Sequence, residues 1–236
     1  MKRMDRPLVS VIIAVSNGAR YLAQALQSVL SQTYMRTELI VVDDGSVDNS
    51  DKIARSHEQV RYISQHAAGL AVARNVGVKA AQGELIAFID QDDLWTPNKL
   101  GSQVGFLLQN AEIQYVNAWI KLFVEPGFRL RAGYTEDFLG RAHVGRTPGT
   151  LVVRKSVFDL VGMFSADFSI ACDVEWFKRA NDHNIPAFII PEVLLYKRIH
   201  NSNLSSDVKT NRRELFSIIR QTVRKQRVRD VGTSYG

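Results

Sequence analysis

The sequence predicts an α/β fold in a single domain: a mostly parallel central sheet flanked by helices, with a helical tail at the C-terminus. Three observations carry this. Short apolar runs rich in β-branched residues alternate with segments of helical period through the first half of the 236 residues, the pattern of strand–helix–strand units. Two of those runs end in acidic clusters, Asp43-Asp44 and Asp90-Gln91-Asp92-Asp93, at the strand ends where open α/β sheets place ligands. No Pro-, Gly- or Ser-rich linker divides the chain, so residues 1–205 are expected to form one body with an N-terminal half (1–100) and a C-terminal half (101–205).

The elements follow in order. Residues 8–15 read as a buried strand because they form a mostly apolar, β-branched run. Asn17 stands where a helix N-cap is expected, before Leu22, Ala25, Leu26, Val29 and Leu30 at helical spacing. Residues 39–42 are a second strand, a short polar helix is expected to begin near Asp48, and residues 60–63 are a third strand. Residues 70–81 read as a helix with Gly83 as its stop signal. Residues 85–89 are a fourth strand. Thr96-Pro97 then opens a helix with Pro at its first position and an apolar stripe of Leu100, Val104, Leu107 and Leu108.

The second half is less regular. Residues 113–124 fit one or two strands, 125–149 read as a loop, 151–153 as a strand, 173–181 as a helix and 193–199 as a last strand. Residues 206–236 form a tail that carries most of the net charge of +6. The body is therefore near neutral, which argues against a nucleic-acid partner. In the tail, Leu215, Phe216, Ile219 and Val223 recur at helical spacing among Arg212, Arg213, Arg220, Arg224 and Lys225. Such a basic amphipathic helix fits either a peripheral contact of residues 206–230 with an anionic membrane or a helix packed on the domain with a solvated face.

Composition sets outer limits. The chain is 45% hydrophobic and 23% charged, as ordinary globular domains are. Cys172 is the single cysteine, so no disulfide forms within the chain, which fits a reducing compartment. No apolar run reaches the ~20 residues that cross a bilayer, and the first ten residues lack a leader's apolar stretch. The expected location is cytoplasmic, including the inner face of the membrane.

Three carboxylates within four residues repel one another unless a cation or a ring of donors sits among them. Hard cations such as Mg²⁺ or Mn²⁺ prefer such oxygens and share them with substrate phosphates. A solvated turn with a helix cap explains the same residues without chemistry. The chain lacks a Gly-x-Gly-x-x-Gly after the first strand, a phosphate loop, a Gly-x-Ser-x-Gly elbow and zinc-type Cys/His spacing.

Four segments resemble a known family, the family 2 inverting glycosyltransferases of GT-A fold: VSVIIAVSN (9–17), ELIVVDDGSVDNS (38–50), GLAVARNVGVKAAQGELIAFIDQDDLWTPNKL (69–100) and GMFSADFSIACDVEWFKRA (162–180). They stand in the family's order and spacing, and the resemblance covers roughly residues 8–200. It implies a nucleotide-binding half (1–100) and an acceptor half (101–205). The donor, a nucleoside-diphosphate sugar with UDP as its expected nucleotide, would be lined by Ala14, Val15, Ser16, Asn17, Asp43, Asp44, Arg74, Asp90 and Gln91. Asp92 and His200 would approach a Mg²⁺ or Mn²⁺ ion. Asp93, Trp95 and Arg198 would touch acceptor or phosphates, and Asp173 would be the catalytic base that takes the proton of an acceptor hydroxyl.

The resemblance also implies a saccharide or lipid-linked acceptor in polysaccharide or glycolipid assembly. Ala14 and Ser16 stand where the family commonly has Pro and Tyr, and Cys172 where an acidic residue often precedes the base. The chain is short for the family, as a piece of a longer protein would be. Two alternatives remain at this point: a sugar nucleotidyltransferase, whose Gly-rich basic loop after the first strand residues 15–20 match poorly, and an inactive or nucleic-acid- or membrane-binding relative.

Overall fold

The computed structural model describes residues 6–127 and 135–233. The N-terminal half contains four parallel strands: β1 (Val9–Val15), β2 (Thr37–Asp44), β3 (Val60–Gln65) and β4 (Leu85–Phe88), paired in the order β3-β2-β1-β4. Helices α1 (Leu22–Leu30), α2 (Ser50–Arg55) and α3 (Leu70–Ala80) connect them. All of β1 except Ala14 is buried, because both sheet faces are covered. Val9, Val11, Ile13 and Val15 pack with Leu22, Ala25, Leu26 and Val29 of α1. On the other face, Ile12 joins Ala71, Ala73 and Val78 of α3. Each such fully buried aliphatic side chain contributes about 1.5–3 kcal/mol.

The second half extends the same sheet. It adds β5 (Leu94–Trp95), α4 (Lys99–Gln109), β6 (Tyr115–Val124), α5 (Glu136–Gly140), β7 (Ala142–Gly145), β8 (Val152–Arg154), α6 (Val157–Val161), α7 (Cys172–Asp182), β9 (Ala187–Ile199) and α8 (Val208–Thr233). The full order among the described residues is β3-β2-β1-β4-β8-β6-β9-β5, with β7 on β6. Strand β8 runs antiparallel to β4, and β9 parallel to β6. The chain direction thus reverses beside β4, leaving a crevice beyond its C-terminal end.

Several local expectations are corrected. Asn17 is not a helix cap: α1 starts at Leu22 with Tyr21 as its cap residue. Asn17 instead takes a left-handed backbone (φ 51°) and accepts from Val47 N at 3.0 Å. The short polar helix begins at Ser50, whose N–H and hydroxyl both donate to Asp48. Gly83 is not a helix stop; a side chain there would meet Leu8 O at 2.6 Å, so glycine serves close packing. Helix α4 begins at Lys99 rather than Pro97, because Thr96 and Pro97 bond to Leu194 and Thr33.

The 113–124 segment holds one strand, β6, which starts at Tyr115. The expected 125–149 loop contains α5, capped by the Thr135 hydroxyl accepting from Phe138 N at 3.1 Å, and β7; its residues 128–134 lie outside the described residues. The last strand starts at Ala187 and runs through Pro191, where the register against β6 shifts. A bulge admits proline because the ladder is interrupted there.

Helix α8 packs on the domain through Glu214 and Ile218, which are buried. Leu215, Phe216 and Ile219 point outward, and Arg212 lies over the Phe216 ring at 5.5 Å. Val223, Arg224 and Lys225 lie outside the residues whose side chains are described. Among the described residues no helix is long and apolar enough to cross a membrane.

Candidate active site

The C-terminal ends of β1, β2 and β4 reach one edge of the sheet, with Val15 level with Asp43 and Ile12 with Phe88. A cleft of about 580 Å³ opens there. Ala14, Val15 and Ser16 line it from β1 and the turn beyond, Asp44 from β2, Arg74 from α3, and Asp90, Gln91 and Asp92 from the segment after β4. The second half contributes Ser169, Ile170, Ala171 and Asp173 around the start of α7, and Lys197 from β9.

Backbone and side chains fix this edge together. Gln91 accepts from Ser16 N at 2.9 Å and donates to Ser16 O at 3.2 Å, tying the end of β1 to the acidic segment. Asp44 accepts from Gln65 Nε2 and from the backbone N–H groups of Ala68 and Gly69, all within 2.8 Å. That carboxylate folds the turn before α3 while still facing the cleft. Its neighbour Asp43 turns away: it is buried and accepts from Tyr62 Oη and Ser46 N. Asp43 and Asn17, expected among the donor contacts, are absent from the lining residues because both tie loops together.

The acidic segment is neutralised by cations from elsewhere. Asp90 pairs with Arg74 at 2.8 Å and faces Lys197 at 3.5 Å. Burial alone would raise its carboxyl, but Arg74 and Lys197 outweigh this and hold it below the ordinary aspartate value. Arg74 is itself buried, and its other arm approaches Cys172 Sγ at 3.7 Å. Asp93 is fully buried and accepts from Arg198 N at 2.9 Å and Lys197 Nζ at 3.3 Å. It anchors β9 and is absent from the residues that line the cleft.

Arg198 also departs from expectation. Its guanidinium donates to Asp92 O and Gln24 Oε1 and lies between the rings of Tyr21 and Phe123. Trp95 is buried, with its indole N–H on Gly149 O at 2.9 Å. Neither lines the cleft; both pack the sheet edge. The cation of β9 that does face the cleft, beside Arg74 of α3, is Lys197. Burial would lower its ammonium, but Asp93 and Asp90 more than offset that and raise it. Strand alternation separates Lys197 from Arg198, yet no pattern in the sequence says which side meets the ligand.

Asp92 and His200 come together as expected: His200 Nε2 lies 2.8 Å from Asp92 Oδ2, and Asn203 donates to the same oxygen at 3.2 Å. The other ring nitrogen, Nδ1, lies 2.9 Å from Ser202 Oγ and 3.2 Å from Ser202 N. Among the described residues no group of three His, Cys, Asp or Glu side chains could hold a metal by itself. Asp92 with His200 fits a cation that draws its remaining ligands from phosphate oxygens, as Mg²⁺ and Mn²⁺ commonly do.

Asp173 is the second residue of α7, whose cap residue is Ala171, so Asp173 is no N-cap. Among the described residues its Oδ1 accepts from the adjacent Val174 N alone, at 2.8 Å. Burial raises its carboxyl above the ordinary aspartate value, with Arg74 partly opposing. A raised carboxyl in a cleft is a proton acceptor of useful strength.

The comparisons with known proteins agree with this geometry. The family model described as "Glycosyl transferase family 2" matches residues 10–170. An uncharacterized glycosyltransferase of Rickettsia typhi is 31% identical over 85% of this chain and 66% of its own length. WfgD of Escherichia coli, a UDP-Glc:α-D-GlcNAc-diphosphoundecaprenol β-1,3-glucosyltransferase, is 32% identical over 86% of this chain and 82% of its own. Among solved structures, S. aureus TarS with UDP-GlcNAc superimposes with a TM-score of 0.69 at 20% identity, covering 84% of this chain and 60% of that one. The mannosyltransferase PcManGT of Pyrobaculum calidifontis, with GDP-Man and Mn²⁺, gives 0.71 at 21% identity, over 94% and 65%. The chain thus spans less than two thirds of several relatives, and 37% of one from Rickettsia felis. The strand-end carboxylates, the cleft they line and the family match over most of the domain place this chain in glycosyltransferase family 2.

Proposed function

We infer that the cleft binds a nucleoside-diphosphate sugar and transfers its sugar to an acceptor hydroxyl with inversion. The observation that carries this reading is the meeting of the two halves at Arg74, which holds Asp90 on one side and reaches Cys172, the residue before Asp173, on the other. Donor-side carboxylates and a lone raised carboxylate thereby face one space.

In this reading the end of β1 and Asp44 hold the nucleoside, and Asp90 and Gln91 the ribose. Arg74 and Lys197 offset charge on the diphosphate. Asp173 takes the proton of the acceptor hydroxyl as its oxygen bonds to the anomeric carbon. The bond from that carbon to the diphosphate breaks on the opposite face, and the nucleoside diphosphate leaves with the electron pair. Asp92 and His200 would hold a divalent cation, which would supply further compensation for charge on the leaving diphosphate. The donor is a UDP-sugar and the acceptor a lipid-linked saccharide, on the model of the E. coli relative's printed substrates.

A lipid-linked acceptor brings the protein to a membrane. The outward Leu215, Phe216 and Ile219 beside Arg212 and Arg220 suit the inner, anionic face. Co-sedimentation with phosphatidylglycerol vesicles is expected, and binding unaltered after Phe216→Glu plus Ile219→Glu would remove this part.

The test of the whole reading is calorimetry with UDP, with and without Mn²⁺, on the parent protein and on Asp92→Ala. Metal-dependent binding that the substitution abolishes is the expected result. No binding of UDP, GDP or dTDP under either condition would overturn the reading.

A further inference from the structure

The turn that leads into α7 is held by a residue 43 to 45 positions further on. Glu214 Oε1 accepts from Ser169 N at 2.9 Å and from Ser169 Oγ at 2.6 Å, and its Oε2 accepts from Ile170 N and Ala171 N, each at 2.9 Å. One buried carboxylate thus gathers four donors from three consecutive residues. Those residues all line the cleft, and the third is the cap residue of α7, two positions before Asp173. The cap residue Ala171 has no side chain that can bond the first turn of α7, and the backbone N–H groups leading into the helix are held instead by Glu214 of α8.

We propose that Glu214 is a positioning residue for Asp173: it clamps the 169–171 turn, sets the direction in which α7 presents its carboxylate, and makes the acceptor wall depend on α8 being docked. Three further observations support this. Asn211, one turn before Glu214 on α8, also lines the cleft. Ile218, one turn after it, is buried in the same core cluster as Trp176 of α7, so α8 is docked on the body of the domain by packing as well. Burial alone would raise the Glu214 carboxyl, yet the donors of Ala171, Ser169 and Ile170 outweigh it and lower it, so the clamp is ionised at neutral pH. A negative charge at a helix N-terminus is also favoured by the helix dipole.

This inference rests on Asp173 being the base, so the experiment separates the two. Parent, Glu214→Gln, Ser169→Ala and Asp173→Asn are compared in three measurements: UDP binding by calorimetry, UDP release from UDP-glucose and UDP-GlcNAc, and hydrogen exchange of the 166–178 segment. Glu214→Gln keeps the size but removes accepting capacity. It is expected to bind UDP within about twofold of the parent, because the nucleoside side does not touch it. Its kcat is expected to fall toward the ~100-fold loss that a misplaced reacting group causes, with the donor KM little changed and exchange at 169–171 faster. Ser169→Ala, which removes one donor, is expected to shift kcat in the same direction by less. A merely structural clip would lower stability and leave the split between kcat and KM unmoved.

Parent-like kcat and exchange in Glu214→Gln overturn the proposal. Should that variant fail to fold, a parent-like kcat in Ser169→Ala overturns it. Turnover retained in Asp173→Asn removes the base assignment instead. Should the parent turn over neither donor, exchange at 169–171 decides whether Glu214 holds the turn.

Discussion

Arg74 Nη2 donates to Asp90 Oδ1 at 2.8 Å, and the pair joins α3 to the segment after β4. The Arg74 side chain is 5% exposed and that of Asp90 25%. Removing one member of such a buried pair leaves the other charge without compensation. Arg74→Met is therefore expected to lower unfolding free energy by ~3 kcal/mol, read from the denaturant midpoint at constant slope. Arg74→Lys is expected to fall between, since an ammonium cannot reach Asp90 and Cys172 together. An unshifted midpoint in Arg74→Met would show that the pair is dispensable.

The raised Asp173 carboxyl fixes the sign of a pH effect. A base works only when unprotonated, so raising its pKa moves the loss of activity to higher pH. The acid limb of kcat/KM is expected above the ~3.9 of an ordinary aspartate. Asp173→Asn is expected to lower kcat by about 10²–10⁴-fold. The same shift makes ionised Asp173 unfavourable in the fold above that pH, so Asp173→Asn is expected to raise the melting temperature slightly. A limb at or below pH 4 would disprove the assignment.

Lys99 offers a test away from the chemistry. Its side chain is fully buried over the Trp95 ring, with Nζ 4.0 Å from the centroid and no hydrogen-bond partner among the described residues. Burial lowers its pKa well below the ordinary lysine value. A lysine depressed in the fold costs stability wherever the unfolded chain is protonated and the cost fades as pH rises toward ~10.4. Stability is expected to climb with pH through the alkaline range. Lys99→Met is expected to flatten that climb and raise stability at pH 7, by chemical denaturation at several pH values. A climb that persists in the variant refutes the link.

Two helical glycines are expected to respond in opposite directions. A Cβ on Gly77 of α3 would lie 2.4 Å from Ile12 Cγ2 in β1, so Gly77→Ala forces helix and sheet apart. The expected cost is about 1–3 kcal/mol. A Cβ on Gly105 of α4 would meet nothing within 4 Å among the described residues. There, Gly105→Ala is expected to stabilise by about 0.5–1 kcal/mol. Thermal melts of the two single variants decide both.

Much of the N-terminal half is legible in the sequence because its signals are local. Buried parallel strands must be apolar on both faces, so β1, β2 and β4 stand out as runs, and Asp44, Asp90 and Asp92 stand out as charges where those runs stop. The same local logic identifies α1, α3 and α4, but fails at their starts. Asn17 and Pro97 look like helix signals in isolation, whereas the bonds that fix them come from Val47 and Thr33, distant in the chain.

Tertiary structure alone decided the rest. Which of Lys197 and Arg198 meets the cleft depends on how β9 lies against Asp93, and period-2 alternation names two faces without saying which is which. Likewise Trp95 and Asp93 carry the chemistry of a site but are consumed by packing and by β9. Glu214, one of many charges in a basic tail, becomes the clamp of α7 only because α8 folds back over residues 169–171. A sequence determines by itself what short-range hydrophobic period and strand-end charge encode. Which polar groups are spent on holding the fold, and which are left facing the ligand, is settled only when distant segments compete for the same hydrogen bonds.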